Sequence, residues 1–184
     1  MKKKILAAAL VAAGATFSLH AGAQETYFGA QLGIADVSGF SDGTALILTL
    51  GQDRSDVTPG FSIEGEFTTT LSDPDVTFRN GPWTDTFSVS YWSIGGYGAF
   101  RHALNEQLSL RARAGLLYHK YEVEWTESFE GDVVSTMSGS DSDIELSFGF
   151  GVLYAVNPNL SIVGEYTRIS SDVNHLSAGV QYRF

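Results

Sequence analysis

The chain has 184 residues, with 21 acidic side chains against 11 Lys and Arg and a formal charge of -10, which disfavours a nucleic-acid partner on electrostatic grounds. Cysteine is absent, so disulfides and thiolate metal sites are excluded, and 20 Gly, 12 Phe and 8 Tyr beside only 4 Pro favour strands over long helices. The first residues, 1–23, read as a secretory signal peptide: Lys2, Lys3 and Lys4 precede the apolar run ILAAALVAAGATFSL, which closes on Ala21-Gly22-Ala23 before Gln24. The mature domain is then expected over 24–184, and cleavage removes three of the 11 basic residues, leaving 8 against 21 acidic ones. No later stretch is apolar for long enough to make a transmembrane helix, so any membrane span must be built of strands.

In chain order, the mature sequence alternates polar and apolar residues in eight segments whose lengths suit a tilted strand crossing a bilayer. Residues 27–35 place Phe28, Ala30, Leu32 and Ile34 on one face. Residues 44–51, TALILTLG, are strand-like with poorer alternation. Residues 61–71 oppose Phe61, Ile63, Phe67 and Leu71 to Ser62, Glu64, Glu66 and Thr68, so charges fall in mid-strand. Residues 87–101, FSVSYWSIGGYGAFR, leave their faces unassigned, with Gly95, Gly96 and Gly98 marking a bulge or close packing. Residues 108–118 set Leu108, Leu110, Leu116 and Tyr118 against Ser109, Arg111 and Arg113. Residues 143–156 carry the clearest pattern, with Ile144, Leu146, Phe148, Phe150, Val152, Tyr154 and Val156 on one side. Residues 160–169 oppose Leu160, Ile162 and Tyr166 to Ser161, Glu165 and Thr167. The closing HLSAGVQYRF sets Leu176, Ala178, Val180, Tyr182 and Phe184 against His175, Ser177, Gly179, Gln181 and Arg183.

These segments predict an all-β fold, an eight-stranded antiparallel transmembrane β-barrel with apolar side chains facing lipid. A soluble barrel or sandwich would reverse the faces, but the polar face here carries Gly, Ser, Thr and few charges, without the Lys- and Glu-rich surface such a protein shows. Short links are expected near 102–107 and 157–159, with 52–59 the longest of that class. Longer loops are expected at 70–86 and 125–141, an intermediate one at 36–43, and a short one at 170–173. The links assigned to the outer side hold ten acidic residues, from Asp36 to Asp172, against a single Arg79. Phe28, Phe61, Tyr154, Tyr182 and Phe184 would girdle the inner interface.

An eight-stranded barrel is just wide enough to be filled by its own side chains. The inward set comprises Glu64, Glu66, Glu145 and Glu165 with Arg111, Arg113 and Arg183, plus Gln31, Gln181 and Ser177. Enclosed charges are costly unless paired, and the guanidinium fork suits carboxylates, so an Arg-Glu network plugging the lumen is expected, with a gated ion path as the alternative. His175 and Ser177 share the inward face and could form half of a catalytic site. Lipid A deacylases use such a His-x-Ser pair facing lipid with a Glu about a dozen residues on, whereas this chain ends nine residues later, so the two read as lumen-filling and no enzyme is expected. Asp141, Asp143 and Glu145 suggest a calcium site, but the spacing lacks the Gly and distant Glu of an EF-hand, and an acidic strand top suffices. No metal or cofactor is expected, beyond weak divalent contact with lipopolysaccharide phosphates.

EYTRISSDVNHLSAGVQYRF, at 165–184, resembles the end of the OmpX/Ail group of small outer-membrane proteins. GFSIEGEFTTTLSD, at 60–73, and SDIELSFGFGVLYAVNPNLSIVGEYTRIS, at 142–170, resemble the matching strands, while the ending is shared with broader OmpA-type and opacity barrels. The resemblance implies a cell outer membrane location and a surface or envelope role: adhesion, resistance to host defence or envelope integrity. Val180, Tyr182 and Phe184 are similar to the signal read by the barrel-assembly machinery, and they also suit a lipid-facing girdle. The implied partners are outer membrane lipid and lipopolysaccharide, that machinery, and a host-surface ligand held by the loops of a monomer. Acidic outer links weigh against sulfated or acidic ligands. A narrow, porin-like solute channel and a lipid A-modifying enzyme are the alternatives.

Overall fold

A computed structural model describes residues 25–184; the segment read as a signal peptide, 1–23, lies outside the described residues. There are nine strands: β1 (Thr26–Val37), β2 (Gly43–Asp53), β3 (Phe61–Ser72), β4 (Asp75–Asn80), β5 (Trp83–Ala103), β6 (Leu108–Phe129), β7 (Asp132–Ala155), β8 (Leu160–Arg168) and β9 (Val173–Arg183). All pairings are antiparallel. β1 bonds both β2 and the C-terminal β9, and β3 bonds β5 directly, so eight strands close a ring and β4 stands outside it.

The eight segments with period-two patterning are the eight staves of the ring, because closure gives every backbone donor in the wall an interstrand partner and leaves no open edge there. Ile144, Phe150 and Leu176 point outward and are more than 60% exposed, as expected of a lipid-facing belt. Eleven residues from Leu108 to Tyr118 run about 36 Å, which at the usual tilt gives a band of about 25 Å, the apolar thickness of an outer membrane. The alternate residues fill the cylinder: Tyr27, Gln31, Ile47, Tyr97, Leu117, Leu153 and Val163 are all buried.

β5, whose faces were ambiguous, points Tyr91, Ser93, Tyr97 and Ala99 inward and Ile94 and Phe100 outward. Its register with β6 is unbroken from Trp83↔Phe129 to Ala103↔Ser109, so its glycines mark close packing and not a bulge.

The expected loops at 70–86 and 125–141 are instead sheet. β4 folds back on the first residues of β5, and β6 and β7 continue past the belt to a two-residue turn at Glu130-Gly131. Both turn residues have positive φ, 51° and 95°, the twist that matches a tight hairpin. Sequence alone favours loops here because the alternation pairs Ser, Thr and Glu with scattered aromatics. Ser- and Thr-rich strands in water need no continuous oily face, and bilayer thickness sets no limit on their length.

Candidate functional site

Two regions concentrate polar chemistry: the middle of the lumen and the mouth at the rim away from the chain termini. In the lumen, β3 contributes Glu64 and Glu66, β6 contributes Arg111 and Arg113, and β8 contributes Glu165, each on the inward parity of its strand and each at most 5% exposed. Arg111 pairs with Glu64 and, at 3.1 Å, with Glu165. Arg113 pairs with Glu66 and with Glu165 at 2.6 Å, and lies 3.8 Å from Glu64. Three carboxyls therefore meet two guanidiniums across the bore. The excess acid is met by hydroxyls: Tyr27 donates to Glu64, and Thr167 donates to Glu165 over 3.0 Å. The Arg113 guanidinium also sits 4.3 Å from the centre of the Tyr97 ring, a favourable cation-π placement.

Glycine makes room for this cluster. A Cβ at Gly149 would lie 2.9 Å from Arg113 Nε and 3.1 Å from Thr167 Oγ1, so the β7 wall opposite Arg113 must be bare.

Of the seven charges expected in one network, five converge and two do not. Arg183 sits at the terminal rim, where it pairs with Glu25 at 2.6 Å, because the final residues of β9 lie one barrel end away from the mid-lumen cluster. Glu145 lies near the far mouth and makes no ion pair among the described residues, because β7 carries it above the level of Arg113. The sequence reading places Thr167 on the polar face of its strand without a role and names neither Tyr27 nor Tyr97. Inward parity with Gln31 would have found Tyr27, whereas Tyr97 was hidden by the unassigned faces of β5.

His175 and Ser177 both face inward but do not engage each other. The imidazole Nε2 meets the Tyr91 hydroxyl, and the Ser177 hydroxyl lies 3.0 Å from Gln31 Oε1, with the Glu165 carbonyl at 3.2 Å. Val180 and Tyr182 point outward on β9 and Phe184, just past its end, is exposed as well, with Tyr182 against Phe184 edge to face at 5.3 Å.

At the far mouth, loop 38–42 is stitched to the β8–β9 turn, where Ser38 N donates to Asp172 O at 3.0 Å, and to the start of β4, where Ser41 N donates to Asp75 O at 2.8 Å. The loop and the β8–β9 turn border a cavity of about 310 Å³ lined by Tyr91, His119, Tyr121, Asp143 and Glu145 with Val123. Asp141, Asp143 and Glu145 are spaced along β7, and among the described residues no group of three or more His, Cys, Asp and Glu is placed to hold a metal ion. Tyr121 donates to Asp141 over 3.2 Å, and that carboxylate's charge raises the phenol pKa.

Beyond the mouth, β4 and the far halves of β5, β6 and β7 form a four-stranded sheet. Its register puts Val76, Phe78, Trp83, Phe87, Val123, Trp125, Phe129 and Met137 on the face that overlooks the bore. Thr84, Thr86, Ser88, Glu122, Glu124, Ser138 and Ser140 are on the other. Phe87 stacks on Trp125 at 6.1 Å, Trp83 meets Phe129 at 4.8 Å, and Trp125 Nε1 donates to Asp85 at 2.9 Å.

Over residues 6–184 the chain matches the family described as outer membrane protein beta-barrel domain. Among the curated proteins, none matches it by sequence. The solved structures that share the architecture include three outer-membrane barrels. Neisserial surface protein A is 19% identical with a TM-score of 0.59, over 88% of this chain and 97% of that one. The N-terminal β-barrel domain of Pseudomonas aeruginosa OprF is 11% identical with a TM-score of 0.57, over 87% and 97%. Ail, the attachment invasion locus protein of Yersinia pestis, is 21% identical with a TM-score of 0.50, over 88% and 97%.

Proposed function

The chain belongs to the outer membrane protein beta-barrel domain family and is a cell outer membrane protein of OmpX/Ail architecture, and from that premise we propose a barrel with a closed lumen whose work is done by its exposed sheet. The observation that carries this reading is the five-residue Arg-Glu cluster. Paired charges and their hydroxyl partners span the bore at mid-height, and a hydrated ion would have to break those pairs to pass. The sheet, by contrast, extends β6 by eleven residues beyond Tyr118, about 36 Å of strand, which a barrel needs neither to span nor to seal. Surface docking is therefore its role, with adhesion or resistance to host defence as the biological setting. The chain acts as a monomer in outer membrane lipid and lipopolysaccharide, delivered by the barrel-assembly machinery through Val180, Tyr182 and Phe184. A catalytic role is not part of this reading, since the Ser177 hydroxyl faces Gln31 and the His175 imidazole faces Tyr91.

Ail of Yersinia pestis is known in complex with the heparin analogue sucrose octasulfate. The acidic sheet of this chain disfavours such a polyanion. Purified protein in a planar bilayer tests the closed lumen: no steady conductance is expected, and a steady large conductance overturns it in favour of a narrow channel. Cells carrying a β6–β7 hairpin shortened to end near Tyr121 test the surface role. They should keep the assembled barrel and lose surface association; unchanged association overturns that role.

A further inference from the structure

We propose that the bore-facing side of the exposed sheet, together with the mouth cavity below it, is a docking site for a cationic amphipathic peptide segment. The proposal names the partner class for the surface-docking reading and rests on it.

The apolar half of the site is explicit. Phe78, Trp83 and Met137 are 59%, 41% and 61% exposed, and the face carries two aromatic groups above the lipid belt, Phe78 with Phe87 and Trp125, and Trp83 with Phe129, on either side of the Asp85 and Glu127 pair. No bilayer covers this part of the molecule, and exposed apolar groups clustered in this way mark interaction sites.

Charge selects the occupant. The segments that form the sheet and its mouth, residues 73–91 and 119–143, hold ten Asp and Glu against Arg79 and Lys120. Both cations lie on the opposite, polar face, by the registers Arg79↔Thr84 and Lys120↔Trp92. The aromatic face therefore carries acids alone: Asp85, Glu127 and Asp141 on the sheet, then Asp143 and Glu145 in the cavity. Asp85 and Glu127 stand directly opposite each other in the β5–β6 ladder, an unfavourable like-charge pair that a cation between them would relieve. In the cavity wall His119 is only 7% exposed, and its Nε2 has no hydrogen-bond partner among the described residues.

Aromatic side chains flanked by carboxylates that have no cationic partner among the described residues fit a ligand with an oily stripe and Lys or Arg at its margins. A polyanion would be repelled, and a neutral sugar would leave the opposed acids unrelieved. From Tyr121 to Phe129 the face runs about 26 Å along β6, the length of roughly 18 helical residues.

The test uses the chain in phosphatidylcholine nanodiscs, with empty nanodiscs as reference, and a fluorescent 18-residue amphipathic helix of Leu and Lys. Saturable binding above that of empty discs is expected, weakening as salt rises. Substituting Phe87→Ser with Trp125→Ser should weaken it at least tenfold. The surface substitutions Glu127→Gln with Asp143→Asn, which remove no packing, should weaken it at least threefold. A Leu and Glu peptide of the same pattern should not bind. Binding no better than to empty discs, equal binding of the Lys and Glu peptides, or affinity unchanged in both variants overturns the proposal. If peptide binding fails while the shortened hairpin still abolishes surface association, the docking role stands and this partner class falls.

Discussion

Replacing Arg113 by Leu removes the centre of the lumen cluster. Arg113 pairs with Glu66, with Glu165 at 2.6 Å and with Thr167 at 3.1 Å, and its guanidinium faces the Tyr97 ring. Glu66, 5% exposed, would lose its one cationic partner among the described residues, while Glu165 would retain Arg111. Stranding one member of a buried pair costs about 3–5 kcal/mol. Since about 1.4 kcal/mol is tenfold, the unfolding equilibrium moves by roughly two to four orders of magnitude. With a urea dependence of about 2 kcal/mol per molar, the midpoint falls by about 1.5–2.5 M. The assay is urea unfolding of the barrel in lipid vesicles, followed by tryptophan fluorescence and by gel mobility of the folded form. Adding Glu66→Leu to Arg113→Leu removes the stranded carboxylate and should restore about 2 kcal/mol, a coupling expected only of groups in contact. A loss below about 1 kcal/mol for Arg113→Leu is the range of exposed ion pairs and would refute the reasoning, because it would mean a water-filled bore.

Four further variants give distinct outcomes. Gly149→Val should destabilise by about 1–3 kcal/mol, because its side chain would intrude on Arg113. Gly139→Val, where nothing lies within 4 Å, should stay within about 0.5 kcal/mol in the same titration. Glu130→Asn, which suits a φ of 51° better, should stabilise the hairpin tip by about 0.5–1 kcal/mol, read as slower amide exchange there. Deleting Phe184 should reduce the heat-modifiable, assembled protein recovered from outer membranes; undiminished assembly counts against its role as a signal.

The barrel was legible because lipid imposes a strict rule on each stave: Phe148, Phe150 and Val152 must alternate with small or polar residues wherever one face meets hydrocarbon and the other a narrow bore. The same parity located Glu64, Glu66, Arg111, Arg113 and Glu165. It could not rank them by height along the axis, which is why Arg183 and Glu145 were grouped with a cluster that neither reaches. Height depends on stagger between strands, and stagger is set by ladder registers such as Glu64↔Tyr97 and Gly151↔Glu165, which only the folded chain displays. The projecting sheet was least legible. Trp125 and Phe87 are 38 positions apart in sequence, and nothing in either segment alone tells that they stack.

The β6–β7 ladder runs from Leu108↔Tyr154 at one rim to Phe129↔Asp132 at the distal turn, with one irregularity, between Glu127 and Ser128. Mechanically it is a cantilever anchored along the wall of the cylinder, with no hinge where it leaves the lipid. A load applied at Gly131 would be borne as shear by rungs embedded in the bilayer, so a captured object would tug on the envelope itself and could not swing freely on a tether.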